Sequence, residues 1–514
     1  MAVVERQGLS ALTPAGWAFV ALLFPGLWLL RMACAVLSGS SLFVDEAQYW
    51  DWSRHLAWGY FSKPPVLPLL IKLSTAVGGD GAAGVRWLVQ AMWGLIPLML
   101  WRLGFEMQRD THTPLNSPHA VGAWAAGLVT ATLVFGVLGQ VATTDGPLIF
   151  SWVLQMWLLW RALQRPASWM RWLGVGLVLA LGVLSKYTMA ASLATWLILL
   201  LRQPNWLVLR GMLLAGLVAV LCWLPHLAWN QAHDWPTLKH TAELLAGAAA
   251  SDESKWLVWC ERALEYLAGQ LLIAGPVLLF MAWRGFKQRA ESRENLNPRV
   301  LVSPSAAWAW HFSWPLWLVG GWQALQGNAQ VNWPAPALMG ACLVVAWWLA
   351  SRPAEWSWRG PVAVVLLSSL LSAVISLGGD WRERFGLPPQ DEPWALWARA
   401  QGWDESFVAL QPLVAAHPDA TLVALDRTVI AHASYAWRAQ GWRPQSWQRT
   451  PHPDHHYDLT HRFTPDASQV QVLLVLQGPL PGFVNQTYGQ TTELHALKGV
   501  GKDLHLWLLE QPRP

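Results

Sequence analysis

Charged residues are scarce in this sequence. Only 13% of its 514 residues are Asp, Glu, Lys or Arg, against roughly 25% in typical soluble domains. Hydrophobic residues make up 54% of the chain, and 40 residues are tryptophan. So few charges cannot cover the surface of a water-facing globule of this size, which excludes a wholly soluble enzyme.

A concentrated basic surface and a cysteine framework are missing as well. The 35 Lys and Arg residues face 31 Asp and Glu residues, which gives a net charge of +4, whereas binding of a nucleic-acid backbone needs concentrated positive charge. The four cysteines lie far apart and lack the CxxC spacing of a zinc knuckle. These absences exclude a general nucleic-acid binder, a disulfide scaffold and a cysteine-based zinc site.

Long apolar runs, by contrast, are abundant. A helix needs about 20 mostly apolar residues to cross a bilayer, where it must satisfy its own backbone hydrogen bonds. Eleven runs approach this description: 15–37, 85–104, 119–139, 147–163, 172–184, 187–201, 207–225, 264–283, 306–326, 333–350 and 361–378. They predict an α-helical polytopic membrane protein in which the short fifth and sixth helices meet at a turn.

The charges in the loops predict the orientation of these helices. Lys and Arg favour cytoplasmic loops. With the N-terminus inside, the inner loops carry Arg161, Arg165 and Arg202, whereas the outer loops carry acids such as Asp45 and Asp145. An odd number of spans then places the C-terminus outside.

The first apolar run has an alternative interpretation as a signal peptide. Ala33-Cys34-Ala35 resembles a small-residue cleavage site. However, one Arg and one Glu precede the run instead of a positive cluster, and Arg31 interrupts its end. A retained first transmembrane helix is therefore the favoured interpretation.

The composition changes after Gly378. Residues 379–400 are polar and contain Pro388-Pro389, as expected for a linker. Helix-like stretches then alternate with strand-like runs, at 404–416, 421–425, 428–440, 470–476 and 505–509. We therefore predict a transmembrane domain over residues 1–378 and a small C-terminal α/β domain, on the outer side, over residues 379–514.

Ionisable residues next to a membrane segment are costly and are therefore candidates for function. The densest set is Val44-Asp45-Glu46-Ala47-Gln48-Tyr49-Trp50-Asp51, directly after the first run. Read as a helix, it places Asp45 and Gln48 on one side. It is either a solvated amphipathic helix, or a helix that points Asp45 into an external cavity as a general base or a cation ligand.

A second polar segment is Gly59-Tyr60-Phe61-Ser62-Lys63-Pro64-Pro65. The two prolines stop a helix from forming through Lys63. A lysine fixed near the lipid headgroups suits a phosphate. The alternative is a snorkelling lysine that neutralises anionic lipid.

Asp145 and Lys186 lie in predicted outer turns. Asp145, in Thr143-Thr144-Asp145-Gly146-Pro147, could serve only as a capping or first-turn acid of the next helix. Lys186 lies between apolar runs and needs an anionic partner, which either a lipid phosphate or Asp145 would supply.

Five further residues are candidates for lining the substrate cavity, namely Asn230, Asn332, Trp333, His456 and Tyr457. The tryptophans in these segments could instead be anchors at the membrane interface. A metal site at His455-His456-Tyr457-Asp458 is disfavoured, because adjacent histidines rarely converge on one ion.

These motifs occur in an order that resembles a known family. They are Asp45-Glu46 after the first helix, Gly-Tyr-Phe-x-Lys-Pro-Pro, Thr-Asp-Gly-Pro, Leu-Ser-Lys-Tyr-Thr and Asn-Trp-Pro-Ala-Pro. The set is similar to the bacterial GT-C glycosyltransferases related to lipid A aminoarabinose transferase and to protein O-mannosyltransferases. The resemblance covers about residues 40–350, and His-His-Tyr-Asp-Leu resembles a short motif in the outer domain of that group.

The resemblance implies an enzyme of the bacterial inner membrane with a GT-C fold. It implies transfer of a sugar from a polyprenyl-phosphate donor to a lipid, glycan or protein acceptor on the periplasmic face, with inversion. In such enzymes the acid after the first helix is the catalytic carboxylate, which corresponds to Asp45 with Glu46 adjacent. Tyr60 and Lys63 correspond to residues that contact the lipid phosphate.

The chemistry of a phosphate leaving group points in the same direction. Its developing charge needs cations, which Lys63 and Lys186 could provide. A retaining reaction would need a second carboxylate as nucleophile, for which Asp145 is the outer candidate. We favour inversion.

Two departures from the family pattern limit what the resemblance implies. This chain has Ser62 where the aminoarabinose transferases have Glu, and Gln48 where they have Arg. No cofactor is therefore assigned, a divalent cation stays an open alternative, and aminoarabinose is not carried over as the sugar.

Two other classes of function stay open from the sequence. One is a transporter or flippase of lipid-linked glycans, and the other is a non-enzymatic envelope assembly protein. A transporter would be expected to show internal repeats and broken helices deep in the bilayer. Here the polar residues cluster at one predicted face, and no repeat is evident.

Overall fold

The computed structural model describes residues 26, 29, 33, 41–110, 119–246, 255–291, 304–327, 330–351, 359–376, 399–466, 471–497 and 502–513. The first predicted span, at 15–37, and the predicted linker, at 379–400, lie almost entirely outside these residues. The expectations for both segments stay predictions.

Helices predominate among the described elements. In chain order they are α1 (Val44–Arg54), α2 (Val66–Gly78), α3 (Ala82–Asp110), α4 (Ala120–Thr130), α5 (Leu133–Leu138), α6 (Asp145–Gln164), α7 (Trp169–Val183), α8 (Ser192–Arg202), α9 (Trp206–Ala232), α10 (Pro236–Ala246), α11 (Lys255–Glu291), α12 (Pro304–Trp310), α13 (Trp314–Leu325), α14 (Ala337–Ala350), α15 (Arg359–Ser376), α16 (Trp403–Ala415), α17 (Arg427–Ala436), α18 (His456–Thr460) and α19 (Gly482–Thr487). The strands are β1 (Thr421–Ala424), β2 (Gln445–Trp447), β3 (Arg462–Phe463), β4 (Gln471–Gln477), β5 (Tyr488–Ala496) and β6 (Leu504–Pro512).

The chain divides into two compact units, each assembled from separate stretches of sequence. The described residues of the helical unit fall within 88–232 and 239–376, apart from three near the N-terminus. Those of the mixed unit fall within 35–87, 233–238 and 377–514. Residues 35–87 thus pack with C-terminal residues, and the domain boundary expected at residue 378 stays a prediction.

Among the described residues, two helices, α3 and α9, are long and apolar enough to cross a bilayer, judged by length and composition. Six further apolar helical segments of 10–17 residues are shorter than a full span. The mostly helical architecture expected for residues 1–378 is therefore confirmed in the described part of that range. The number of eleven spans stays a prediction.

Two of the predicted spans are divided, so the expectation of one continuous helix in each is wrong. The run 119–139 breaks at Thr132, whose hydroxyl accepts a hydrogen bond from the Phe135 amide (3.3 Å) and caps α5. The run 306–326 breaks before α13, where the Ser313 hydroxyl donates to the Ala337 carbonyl (2.6 Å). Hydropathy does not reveal these breaks, because one small hydroxyl residue changes the mean hydropathy of an apolar run very little.

The turn expected between the fifth and sixth runs is confirmed. Helix α7 ends at Val183, a 3₁₀ turn follows at Tyr187–Ala191, and α8 begins at Ser192. The long helix α11 also contains a kink at Gly275, whose φ of +76° is readily adopted only by glycine.

The mixed unit contains a six-stranded sheet of order β3-β2-β1-β4-β6-β5. Strands β3, β2, β1 and β4 are parallel to one another. Strand β6 pairs in antiparallel fashion with β4 on one side and β5 on the other. The α/β architecture expected for the C-terminal segment is thus confirmed, and β1, β4 and β6 lie at the predicted positions. The short strands β2 and β3 and the largely exposed edge strand β5 were missed.

The strand order of this sheet reverses at β1, and sheets of this kind form a crevice at such a point. From β1 the chain passes to β2 and β3 on one side, and β4 then pairs on the other side of β1. In open sheets with parallel strands, ligands bind at the carboxyl ends of the strands where the strand order reverses in this way. The residues directly after β1 are therefore well placed for function.

A close contact between α7 and α9 gives a test of the helical packing. A Cβ added at Gly211 would lie 2.0–2.3 Å from atoms of the Trp172 ring, which is itself buried. We expect Gly211→Ala to destabilise the protein by about 1–3 kcal/mol through overpacking. The matched control is Gly216→Ala on the same helix, where a Cβ meets nothing within 4 Å. Thermal unfolding in detergent micelles should show a lower midpoint for the first variant alone, and equal midpoints would contradict this packing.

Candidate functional site

Helix α1 is an integral part of the mixed unit. Its first turn is fixed by the Glu46 carboxylate, which accepts a hydrogen bond from the Phe43 amide (3.0 Å). Tyr49, Trp50 and Trp52 are all buried. The alternative of a solvated amphipathic helix is therefore wrong, because the aromatic and most of the polar side chains of α1 pack inside the protein.

Glu46 is committed to a buried ion pair. Its two carboxylate oxygens accept hydrogen bonds from Arg86 at 2.8 and 2.7 Å, and Arg86 also donates to the Ser41 carbonyl (2.8 Å). The side chains of Glu46 and Arg86 are only 0% and 3% exposed. Breaking such a pair leaves an uncompensated buried charge, so these contacts give Glu46 a structural task, and the catalytic role considered for it stays a prediction.

Asp45, one residue earlier, lies at the surface of the unit. About half of its side chain is exposed, and its Oδ1 accepts a hydrogen bond from Arg427 Nη1 at 3.0 Å. The same Nη1 donates to Gln48 Oε1 at 2.8 Å. The structure thus brings Asp45 and Gln48 together on one side of α1, as predicted, and adds an arginine that the sequence reasoning missed.

The Gly59–Pro65 segment is folded around the Tyr60 side chain. The Tyr60 hydroxyl accepts from the Ala57 amide (3.1 Å) and donates to the Trp52 carbonyl (3.3 Å), and its ring stacks on Trp52 at 4.5 Å between centroids. Tyr60 is fully buried, and burial raises its pKa to about 12. Its contact with a donor phosphate stays a prediction, and its hydroxyl would have to leave these backbone partners to make it.

The backbone around Lys63 is held by the same segment. The Tyr60 amide donates to the Lys63 carbonyl (3.1 Å), and the Tyr60 carbonyl accepts from the Thr237 hydroxyl (2.6 Å). Pro64 and Pro65 follow and lead into α2. The side chain of Lys63 is half-buried, so its position is set by a fixed loop, as the sequence predicted.

His456 and Tyr457 also pack against α1. The His456 ring lies 4.9 Å from Trp52 and 5.2 Å from Tyr60, and its Nδ1 accepts from the Phe61 amide (3.4 Å). Burial lowers the pKa of His456 to about 3, with Arg443 adding to the effect, so the ring is neutral at physiological pH. Its position supports the Trp52–Tyr60 pair from the side of the C-terminal residues.

A second buried ion pair lies beside these rings. Arg443 Nη2 donates to Asp51 Oδ2 at 2.6 Å, and Arg443 also donates to His461. Burial raises the pKa of Asp51, although Arg443 opposes this shift. The fully buried Tyr457 also has a raised pKa, because burial and the nearby Asp51 carboxylate both disfavour its phenolate.

The helical unit holds a separate polar cluster of three predicted site residues. Asp145, in the first turn of α6, accepts from Lys186 Nζ (2.7 Å) through Oδ1 and from Asn332 Nδ2 (2.8 Å) through Oδ2. The structure therefore supplies the expected anionic partner for Lys186. Because the three residues come from distant parts of the sequence, this contact gathers the start of α6, the turn after α7 and the segment before α14 at one end of the unit.

The remaining candidates of this unit lie near polar or aromatic neighbours. Asn230 is buried on α9, and its amide lies 3.2 Å from His226 Nε2, which in turn is 2.5 Å from the Tyr187 hydroxyl. Trp333 is half-buried and directly follows Asn332. These contacts explain why the polar side chains are tolerated there, and their roles in substrate binding stay predictions.

Known proteins resemble this chain in both sequence and fold. The family model of the dolichyl-phosphate-mannose-protein mannosyltransferases matches residues 62–229. Lipid A galacturonosyltransferase RgtD of Rhizobium johnstonii is 30% identical over 334 residues, which cover 63% of this chain and 64% of that protein. The crystal structure of ArnT from Cupriavidus metallidurans in the apo state shares the fold, with a TM-score of 0.56, 12% identity, and coverage of 96% of this chain and 98% of that chain. These matches make the chain similar to GT-C glycosyltransferases, in sequence over part of its length and in fold over nearly all of it.

The fold of this chain also matches ArnT from Cupriavidus metallidurans bound to undecaprenyl phosphate. That match has a TM-score of 0.53 and 13% identity and again covers 96% of this chain and 98% of the other. The alignment with RgtD spans less than two thirds of that relative. The resemblance seen in the motifs agrees with these similarities.

The other end of α6 carries a feature that the GT-C motifs do not include. A cavity of about 530 Å³ is lined there by Gln164, Arg202, Asn205 and His311, among others. Asp145 begins α6 and Gln164 ends it, and 20 helical residues span about 30 Å. The cavity is therefore remote from the Asp145 cluster.

Metal binding gains no support from the resolved geometry. Within the described stretches, no group of three or more His, Cys, Asp or Glu side chains is placed so that it could hold a metal ion. We therefore assign none of the described residues to a divalent cation.

Three charged residues of the mixed unit were missed as site components, namely Asp51, Arg427 and Arg443. Asp51 is three residues after Gln48, but the sequence gives no sign that it is buried. Arg427 could have been found, because it follows a predicted strand of an α/β domain and the capping residue Asp426, which accepts from the Thr428 amide (2.7 Å). Arg443 gives no such signal.

The buried Asp51–Arg443 pair gives a test of the mixed unit. Replacing Asp51 with Ala leaves the Arg443 guanidinium buried without its carboxylate, which should cost about 3–5 kcal/mol. Asp419→Ala is the matched control, because Asp419 is exposed and should change stability by less than about 0.5 kcal/mol. Denaturant unfolding in detergent should separate the two variants, and an unshifted midpoint for Asp51→Ala would refute the buried pair.

Proposed function

We propose that this protein transfers a sugar from a polyprenyl-phosphate donor to a lipid acceptor of the lipid A type. The observation that carries the proposal is the half-exposed Asp45 carboxylate on a mostly buried helix, whose Trp52 stacks on Tyr60 of the segment that fixes Lys63. Undecaprenyl phosphate bound to ArnT, which has the same fold, supports the donor. The relationship to a lipid A galacturonosyltransferase supports the acceptor.

Asp45 acts as the general base in this proposal. It takes the proton of an acceptor hydroxyl, and the hydroxyl oxygen forms a bond to the anomeric carbon of the donor sugar. The bond between that carbon and the phosphate oxygen breaks, and its electron pair stays on the phosphate. The Lys63 ammonium stabilises the charge that develops on the leaving phosphate.

A single displacement with inversion fits the arrangement of the carboxylates. Retention would need a second carboxylate free to act as nucleophile, about 5 Å from the first. Glu46 is buried in its pair with Arg86, and Asp145 is engaged by Lys186 and Asn332. Neither side chain is available for nucleophilic attack in these contacts.

Within the helical unit, Lys186 is a separate candidate for binding a phosphate. Its ammonium carries three donors, of which Asp145 takes one. Asp145 and Asn332 thus act as positioning residues that hold the ammonium at one end of the helical unit. A phosphate at this end would meet a cation already fixed in place, which reduces the entropic cost of binding.

The charges at the two ends of α6 support an orientation of the protein in the membrane. Asp145 begins this helix, whereas Arg161 lies in its last turn and Arg165 directly follows it. With the arginines in the cytoplasm, the Asp145 cluster faces the periplasm. We propose a multi-pass protein of the bacterial inner membrane, with a cytoplasmic N-terminus and the C-terminal residues in the periplasm. No contact in the described residues specifically favours a transporter or an assembly protein.

The base is tested by Asp45→Asn, which keeps the shape of the side chain and removes its proton acceptor. We expect kcat to fall by roughly 10²- to 10⁴-fold, as for loss of a general base. The assay measures transfer from a radiolabelled polyprenyl-phosphate sugar to lipid A by protein purified into nanodiscs. Asp419→Asn, at an exposed site, is the control and should keep wild-type activity. Full activity of Asp45→Asn would contradict the assignment of Asp45 as the general base.

The phosphate contact is tested by Lys63→Ala. A hydrogen bond to a charged group contributes about 1.5–3 kcal/mol, so the Kd for undecaprenyl phosphate should rise roughly 10- to 100-fold. The matched control is Lys72→Ala, because Lys72 is exposed on α2 in the same unit. Binding is followed by the change in tryptophan fluorescence on titration. Equal Kd values for the two variants would show that Lys63 does not bind the phosphate.

A further inference from the structure

The cavity at the far end of α6 is lined by residues of four helices of the helical unit. They come from the end of α6, the end of α8, the start of α9 and α12. Its volume of about 530 Å³ lies in the range of small-molecule binding sites. The described residues that line it include none of the residues placed in the proposed transfer reaction, so the cavity is a separate feature of the fold.

Two buried hydrogen-bond donors line this cavity without a partner. Ser305 and Trp308 are 1% and 6% exposed, and neither the Ser305 hydroxyl nor the Trp308 Nε1–H pairs with a described residue. A buried donor without an acceptor costs free energy, because it has lost its hydrogen bonds to water. A ligand that carries acceptor atoms would satisfy both groups.

A third donor follows from the tautomer of His311, which also lines the cavity and is buried. The Trp314 indole donates to His311 Nδ1 (3.1 Å), since an indole nitrogen can only donate. Nδ1 is therefore the acceptor, and Nε2 carries the proton of the neutral ring. The His311 carbonyl accepts from the Thr195 hydroxyl (2.6 Å), so side chain and backbone of this donor are both held.

Arg202 gives the cavity its charge. It is the last residue of α8, is exposed, and forms no ion pair with a described residue. The described lining contains no Asp or Glu. The acid behind the wall is Asp110, which accepts from the lining residue Trp160 (3.1 Å) and pairs with Arg109 (2.9 Å). One cation, several neutral donors and no carboxylate in the lining together suit an oxyanion.

We propose that this cavity is a phosphate-binding site and that the phosphate belongs to the headgroup of an anionic phospholipid. A phosphate presents several acceptor oxygens at once, and a guanidinium can pair with two of them. The donors of Ser305, Trp308 and His311 are available for the others. The inference goes beyond the proposed function and does not depend on it, because the cavity is remote from the Asp145 cluster.

The tryptophans beside the cavity favour a lipid as the source of the phosphate. Trp169 begins α7 and Trp206 begins α9, and both are exposed. Trp206 directly follows Asn205, which lines the cavity. Tryptophan is enriched at the level of the lipid headgroups, and basic pockets between membrane helices bind phospholipid headgroups. Free phosphate offers the same chemistry without the membrane.

The lack of a carboxylate in the described lining favours an anionic phospholipid over a zwitterionic one. The amine of a zwitterionic headgroup would lie beside Arg202 with no acid of the described lining to pair with it. Like charges at such short range repel each other. A phosphoglycerol headgroup carries no amine and brings only the phosphate charge and neutral hydroxyls.

Three ligands test the site in detergent micelles. They are short-chain phosphatidylglycerol, phosphatidylcholine of the same chain length, and inorganic phosphate. The rise in melting temperature on titration gives a Kd for each, for wild type, Arg202→Gln, Ser305→Ala and the control Arg210→Gln. Arg210 is exposed on α9 of the same unit and is not among the lining residues.

Arg202→Gln should raise the Kd for phosphatidylglycerol roughly 10- to 100-fold, as for loss of a hydrogen bond to a charged group. Ser305→Ala should raise it about 10-fold and leave the melting temperature of the unliganded protein unchanged, because its hydroxyl has no described partner to lose. Arg210→Gln should match wild type. Phosphatidylcholine should bind wild type more weakly than phosphatidylglycerol.

The other outcomes overturn the proposal. Equal Kd values for phosphatidylglycerol in wild type, Arg202→Gln and Ser305→Ala would show that the cavity does not bind the lipid. Equal affinity of wild type for both lipids would contradict an anionic headgroup. Binding of inorganic phosphate that depends on Arg202, without binding of either lipid, would keep the phosphate site and refute its lipid source. Sugar transfer is not part of this assay, so its failure would be distinguishable from each of these results.

Discussion

The requirement that a buried charge has a partner organises this chain. With only 13% charged residues, few ionic groups lie inside, and three acid–cation pairs account for much of the buried charge near the candidate site. They are Glu46–Arg86, Asp51–Arg443 and Asp145–Lys186. Each joins residues far apart in the sequence, and each would leave a costly unpaired charge if one partner were removed. Asp45–Arg427 differs from these pairs, because both of its side chains are partly exposed.

Because of this difference, the adjacent acids have different tasks. Glu46 is structural, and Asp45 is the proposed base. Neighbouring helical residues point in directions about 100° apart, so one acid faces the interior and the other faces outward. Glu46 fixes the start of α1 and neutralises Arg86, which places α1 against α3. Asp45 is then presented at a defined position, with Gln48 one turn further along. Because Glu46 fixes the start of α1, the position of the exposed Asp45 carboxylate is fixed as well.

Much of the fold was predictable from the sequence, because it depends on local pattern. The apolar runs predicted the helices. The β-branched run at 470–476 predicted both ends of β4 to within one residue. The divisions of two predicted spans at Thr132 and Ser313 were not predictable, since a single hydroxyl residue hardly changes the hydropathy of each span. The short strands β2 and β3 carry too few residues for a pattern, and the exposed edge strand β5 lacks an apolar face.

The candidate site was predictable only where its residues lie in motifs. Asp45, Lys63, Asp145 and Lys186 were found because each is a charge beside an apolar run. The Asp145–Lys186 contact was one of two possibilities that the sequence left open for Lys186, the other being a lipid phosphate. Arg427 is marked in the sequence only by its place after a predicted strand, and Arg443 is not marked at all, although both lie against α1 in the fold. Contacts between distant residues set by topology are what a single sequence conceals.

The most direct test is a structure of the wild-type protein in nanodiscs with a phosphonate analogue of a polyprenyl-phosphate sugar, which cannot transfer its sugar. The sugar ring should lie beside Asp45, with the phosphonate against Lys63. An analogue bound elsewhere, with the Asp45–Arg427 contact unchanged and Lys63 unoccupied, would contradict the assignment of this site.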